Sequence, residues 1–220
     1  MILAIETATP HGSVALVSGE LVRAEAALSR GRQASATILS AVDGLLRETG
    51  SGPAGIGHVA VSAGPGSFTG LRVGMAAAKG FCFGWRIPIV PVPTLHALAR
   101  RFRSAGMTVC PVLDARKREV YAALFRWEGG ECLRVSPDMA IAPAELPGKL
   151  PAGPVFFCGD GAAPFAPLFR ERMGDRAVFA AEAEGLPSAA AVGLLAARLV
   201  LSGAAADPRQ AVPAYVRPFI

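Results

Sequence analysis

The pattern that opens this chain returns near its middle, and that repetition constrains the fold more than any single motif. Residues 2–6 (ILAIE), 12–18 (GSVALVS) and 21–28 (LVRAEAAL) are three short strand-like runs. TATPH and GE separate them and suit tight turns. In GRQASATILSAVDGLLRETG (31–50), Ile38, Leu39, Val42, Leu45 and Leu46 recur at helical spacing and Gly50 supplies a stop. HVAVSA (58–63) reads as a buried strand, followed by a glycine-rich loop and a small-residue helix from about Ser67 to Phe83. IPIVPV (87–92) is a further strand, and TLHALARRFRSAG (94–106) a helix with Thr94 as N-cap. The order βββαβαβα predicts a mainly parallel sheet with an antiparallel meander at one side.

The second half restates this loosely. VCPVLDARKREVYAALFRWEGGECLRV (109–135) again gives strand, polar turn, strand, Gly-containing turn, strand. A shift of 108 positions lays Asp114 on Glu6 and Ala122–Leu124 on Val14–Leu16. PVFFCGD (154–160) reads as a strand, and APFAPLFRERMG (163–174) as a short helix interrupted by Pro167. RAVFAAEA (176–183) is a strand, and LPSAAAVGLLAARLVLSG (186–203) a helix with Ser188 near its start. MAIAPAELPGKLPAGP (139–154) reads as a loop, and the tail VPAYVRPFI holds too many prolines for a helix.

Composition removes several classes. With 52% hydrophobic and 18% charged residues the chain is expected to fold and not to be disordered. Its apolar runs are broken by Gly, Pro or Arg before they reach the roughly 18 residues of a membrane span. MILAI meets Glu6 at once, so no signal peptide is expected. Cys82, Cys110, Cys132 and Cys158 lie far apart, against zinc or a disulfide framework and in keeping with a cytoplasmic protein. The net charge of +5 allows an acidic partner such as RNA. The densest basic clusters are Arg100, Arg101 and Arg103, then Arg116, Lys117 and Arg118. Neither is interleaved with aromatics as a base-stacking surface would be, and both read as solvated faces.

Two βββαβα-type subdomains in tandem, 1–105 and a reduced 106–220, are the arrangement of the actin-like ATPase (ASKHA) fold of sugar kinases, Hsp70 and actin. Five stretches sharpen this: ILAIETATPHGSVAL, GRQASATILSAVDGLL, AVSAGPGSFTGLRVGMAAAKG, PVPTLHALA and LDARKREVYAALF. Together, over nearly the whole chain, they resemble the TsaB (YeaZ) family, whose signature sits here on Gly64, Pro65, Gly66, Ser67, Phe68, Thr69, Gly70, Arg72 and Gly74. The resemblance implies a subunit needed for N6-threonylcarbamoyladenosine (t6A) at position 37 of ANN-decoding tRNAs. It implies a non-catalytic paralogue of TsaD that pairs with TsaD, acts with TsaE, reaches tRNA through the complex and forms homodimers alone. No tightly bound cofactor is implied, with ADP or ATP only at an interface in the complex.

The residues fit a subunit without its own phosphotransfer. An actin-like ATPase needs an acid at the end of its first strand and then a small turn whose N–H groups hold phosphate. Glu6 is that acid, but Thr7–His11 lacks glycine and Pro10 removes a donor. Asp114–Glu119, the matching turn, has no glycine either. Glu6, Thr9, Gly159 and Gly161 are therefore weak nucleotide-binding candidates. The helix carries no His, Cys, Asp or Glu before Asp43, and Ala34 stands where TsaB relatives often have His, so it cannot clamp a metal. His11, His58 and His96 are scattered. A constellation with Ser67 or Cys110 has nothing in its spacing to support it, and no GxSxG or HExxH occurs. An actin-like ATPase or kinase, and a peptidase of the old glycoprotease label, are the alternatives.

Two features remain. Ala34, Ala36, Leu39 and Ala41 spread small and apolar groups beyond one face of the helix, so Ala34, Ile38, Leu39, Ala41, Val42, Leu45 and Leu46 are expected to serve core and partner interface together. GPGSFTGLRVGMAAAKG (64–80) matches neither the dinucleotide pattern nor the P-loop, because Gly70 is followed by Leu71 and Lys79 comes too late. It reads as a glycine turn, with Ser67 or Thr69 capping a helix. Gly70, Gly74, Ala76, Ala77, Ala78 and Gly80 keep that helix thin.

Overall fold

The computed structural model describes residues 1–29, 34–103, 106–181 and 184–216. The chain divides into two compact units, Met1–Ala97 with Pro187–Ala214, and Leu98–Leu186 with the last residues from Tyr215.

The first unit is built on β1 (Ile2–Glu6), β2 (Ser13–Ser18), β3 (Leu21–Ala27), β4 (His58–Gly64) and β5 (Ile89–Pro93), ordered β3-β2-β1-β4-β5. The meander β1–β3 is antiparallel, whereas β4 and β5 run parallel to β1. Every residue of β1 is buried, as a central strand covered on both faces requires. Leu3, Ile5, Val14, Leu16, Val59 and Val61 face α1 (Ala34–Glu48) and α2 (Phe68–Trp85). The smaller Ala4, Ala15 and Ala60 face α5 (Ala189–Leu201). Small residues there let that helix settle close, since a Cβ on Gly193 would lie 2.5 Å from Val17 Cγ2. Its first three N–H groups are each satisfied: Ala189 N donates to Ser13 Oγ (2.8 Å), Ala190 N to Glu25 Oε1 (3.1 Å) and Ala191 N to the N-cap Ser188 Oγ (3.2 Å).

The second unit carries a seven-stranded sheet with main path β10-β7-β6-β11-β12, from β6 (Thr108–Asp114), β7 (Val120–Ala122), β10 (Met139–Ile141), β11 (Val155–Cys158) and β12 (Ala177–Phe179). The hairpin β8 (Phe125–Glu128) and β9 (Glu131–Arg134) pairs onto β6. A stack of Phe157 on Phe169 and Phe179 fills its core beneath α4 (Ala166–Met173). Glu6 and Asp114 each end the strand that leads their unit, but Ser13 pairs with Glu6 and Val120 with Asp114, so the 108-residue shift holds for the first strand and slips by one at the next. The helix α3 (Thr94–Arg100) lies across the division between the units.

Three expectations change. The 1–105 and 106–220 division gives way to one in which α5 completes the first sheet, because its apolar face fits the alanines of β1, β2 and β4. Met139–Ile141 within the expected loop is a strand paired with β7, and Leu146–Lys149 forms a 3-10 turn where the first unit has α1. Pro167 does not interrupt α4; it sits in the first turn, where no intrahelical donor is lost.

Candidate functional site

The turn after β1 is where an actin-like protein would cradle phosphate, and here the chain fills it with itself. Glu6 is fully buried. Its Oε1 accepts the Ala8 N–H (2.6 Å) and its Oε2 a short hydrogen bond from the Ser62 hydroxyl on β4. Thr9 is buried and its hydroxyl accepts the His11 N–H (3.3 Å). The carboxylate of Glu6 thus organises the turn from inside.

From the other side the turn meets the glycine signature. Ser67 N donates to Ala8 O (2.7 Å) and Thr7 Oγ1 to Gly70 O (2.9 Å). A Cβ on Gly66 would lie 2.6 Å from Ala8 O, on Gly70 2.0 Å from Thr7 O, and on Gly74 2.1 Å from Thr7 Oγ1. These three glycines let α2 press its backbone onto the turn, a contact that any side chain would break. Ser67, not Thr69, caps the helix, accepting the Gly70 N–H (3.2 Å). Gly80 has open space around it and Ala76 is exposed, so neither serves close packing. At the start of the signature Gly64 takes a positive φ of 122°, and a Cβ there would meet Ala214 O at 2.3 Å. Pro65 follows it, and Phe68 and Arg72 stack on the outer face of α2, the guanidinium carbon 3.7 Å from the ring centroid.

The second unit repeats the device with different residues. A Cβ on Gly159 would lie 2.0 Å from Val112 O, and one on Gly161 2.8 Å from Leu113 C. Gly161 N donates to Val112 O (3.0 Å), while Asp160 Oδ1 accepts the Asp114 N–H (3.2 Å). The turn after β6 has three consecutive residues in the left-handed region, Arg116, Lys117 and Arg118, with φ of 60°, 50° and 62°. No glycine relieves it, and Arg116 pairs with Asp114 (3.3 Å). In both units the glycines that resembled a phosphate cradle hold two pieces of backbone together.

The expected interface helix divides sharply. Ile38, Val42, Leu45 and Leu46 belong to the core of the first unit, Ala41 is half-buried, and Leu39 stands 58% exposed. The side chain of Ala34 lies outside the described ones. Beside this helix, Phe68 and Phe83 are exposed on α2.

Other chemistry is poorly supported. Among the described residues no group of three His, Cys, Asp or Glu side chains is placed to hold a metal ion, and no helix is long and apolar enough to cross a membrane. All four cysteines are free and buried. Burial pushes the Cys82 and Cys132 thiols up to about 11 and those of Cys110 and Cys158 higher still, so none offers a thiolate at neutral pH. His58 is lowered, by burial first and then by the N-terminal amine.

Two sheets, each led by a strand ending in an acid and continued by parallel βα units, define a protein of the actin-like ATPase fold. The ROK hexokinase of Thermus thermophilus shares that fold alone, at a TM-score of 0.53 and 11% identity over 91% of this chain and 99% of that one. A family model described as "TsaD: tRNA N6-adenosine threonylcarbamoyltransferase" matches residues 24–219. The tRNA threonylcarbamoyladenosine biosynthesis protein TsaB of Bacillus subtilis is 29% identical over 98% of this chain and 93% of its own length. Its namesake in Escherichia coli is 38% identical over 59% of each. The solved structure of YeaZ from Pseudomonas aeruginosa superposes with a TM-score of 0.82 at 28% identity, covering 98% of this chain and 99% of that one. The chain belongs to the family this model describes, and within it to TsaB/YeaZ.

Proposed function

We propose that this chain is the non-catalytic, activating subunit of the machinery that forms t6A at position 37 of ANN-decoding tRNAs. It pairs with a TsaD-type transferase and acts with a TsaE-type ATPase. The observation that carries the non-catalytic part is the closure of both phosphate turns. Glu6 is consumed by Ala8 and Ser62, and the glycines of each unit are consumed by backbone packing. A turn held this way has its acid and the neighbouring glycines already engaged, where a phosphate cradle would need them free. The names carried by the B. subtilis and E. coli relatives support the pathway, and the TsaD description of the family model supports the partner.

The outer faces of α1 and α2 suit the transferase contact. Leu39, Phe68 and Phe83 present exposed apolar groups on two neighbouring helices of one unit. Exposed aromatics and aliphatics of this kind suit a subunit surface.

The deciding experiment is transfer of the threonylcarbamoyl group to tRNA from threonylcarbamoyl-adenylate with purified TsaD, TsaE and this chain. Product is expected only when the chain and TsaD are both present. Product from the chain alone, or full activity with the chain omitted, would overturn the reading. Turnover of Mg-ATP by the chain alone would replace it with an ATPase.

A further inference from the structure

We propose that the strip formed by Arg100, Arg103 and Trp127 is a contact surface for the sugar–phosphate backbone of tRNA; it rests on the tRNA-directed reading above. The strip lies wholly in the second unit. Arg100 ends α3, Arg103 follows it, and their guanidinium carbons stand 5.9 and 5.8 Å from the centre of the Trp127 ring on β8. Arg101 lies 5.7 Å over the ring of Phe102 and donates to the Leu186 carbonyl. The arginine cluster, which along the chain holds only Phe102, is therefore supplied with a second ring in space.

Three properties make this a phosphate-reading surface. First, the contacts that hold Arg101 and Arg103 are to neutral groups, so they fix the side chains without cancelling their charge. A guanidinium stacked on a ring keeps its N–H edge directed outward and has lost much of its rotamer freedom before any ligand arrives. Second, Arg103 is exposed and Trp127 half-buried, so the cation and part of the ring are reachable, although the indole N–H is buried. Flanking arginines with an accessible aromatic are the combination that unpaired nucleotides bind. Third, the competing basic cluster sits among acids. Arg116 is paired with Asp114 in a turn that also holds Glu119, with Asp160 bonded to its first residue. Arg134, on the same hairpin face as Trp127, stacks 4.9 Å over Phe125 but is neutralised by Asp138.

The test measures tRNA binding by the complex of this chain with TsaD, by fluorescence anisotropy of a labelled tRNA transcript from about 50 to 300 mM KCl. Loss of two phosphate contacts in Arg100→Ala/Arg103→Ala should weaken binding about tenfold at low salt and flatten the log–log salt slope by about 1.4–1.8. Arg100→Lys/Arg103→Lys should keep most of that slope, because it keeps the charges. Unchanged affinity and slope in the alanine variant, with only a lower melting temperature, would reduce the strip to packing at a domain rim and overturn the proposal. Weaker association with TsaD at unchanged tRNA affinity would make it a protein contact and overturn it equally. Arg103→Glu, at an exposed position, gives the same reading if the double variant misfolds. Transfer activity of the wild-type complex is measured alongside. Its presence, with tRNA binding indifferent to these changes, removes the strip and leaves the proposed function standing; its absence removes the proposed function.

Discussion

The same substitution at two glycines of α2 should move stability in opposite directions. Gly70→Ala places a methyl carbon 2.0 Å from the Thr7 carbonyl oxygen. A relaxed carbon–oxygen contact needs about 3.3 Å, so helix and turn must part by more than about 1 Å. Overpacking of that kind costs about 1–3 kcal/mol. Stretching the Thr7–Gly70 hydrogen bond adds about 1 kcal/mol. Alanine returns about 1 kcal/mol in helix propensity. The balance is a loss of about 1–3 kcal/mol, or a melting temperature lower by roughly 3–10 °C for a chain of this length. Gly80→Ala meets nothing within 4 Å and should gain about 0.5–1 kcal/mol from propensity alone. Urea unfolding of the two variants and the parent, followed by far-UV circular dichroism, measures both signs. A midpoint for Gly70→Ala at or above the parent would refute the packing account, and the signature would then need a ligand to explain it.

Leu39→Glu should change the unfolding midpoint by less than about 0.5 kcal/mol, since the side chain is 58% exposed, yet reduce TsaD capture measured by size-exclusion light scattering. Glu25→Ala removes the exposed acceptor shared by Ser13 and the α5 N-terminus and should cost about 0.5–1.5 kcal/mol, read from urea midpoints. The thiols of Cys82 and Cys132, raised by burial from near 9.0 to about 11 in the folded state, make the folded form hold more protons above pH 9. That stabilisation is complete below about pH 9 and fades as pH climbs through 11, so unfolding midpoints should fall across this window, less steeply in Cys82→Val.

The strands of the first unit were legible because each is short and bounded by a turn, and all but the edge strand β3 are mainly apolar. Helix α5 was legible as an element but not as a member of the first unit: an apolar stripe announces a buried face without naming the sheet that buries it. Likewise Ile38, Val42, Leu45 and Leu46 could be recognised as apolar and helical, yet only the packing assigns them to the core and leaves Leu39 outward. Gly70 and Gly80 look alike in sequence, and the approach of Thr7 separates them. For the Arg100–Arg103 cluster the sequence hides Trp127, which arrives from a hairpin that forms later in the chain. Proximity in the sequence is visible there; proximity in space is not.

The membership of α5 in the first unit also orders events in time. On the ribosome, residues through Ala97 can form a five-stranded sheet, but one face stays bare until Pro187 and the helix after it emerge about ninety residues later. At about 5–20 residues per second that interval is roughly 5–20 s, with Ala4, Ala15, Ala60, Val90 and Val92 uncovered throughout. A nascent chain stalled in that interval presents a ready surface to chaperones, and a product shortened before the last helix would carry that surface permanently. Quality control of this protein can thus rest on whether its final helix has been synthesised.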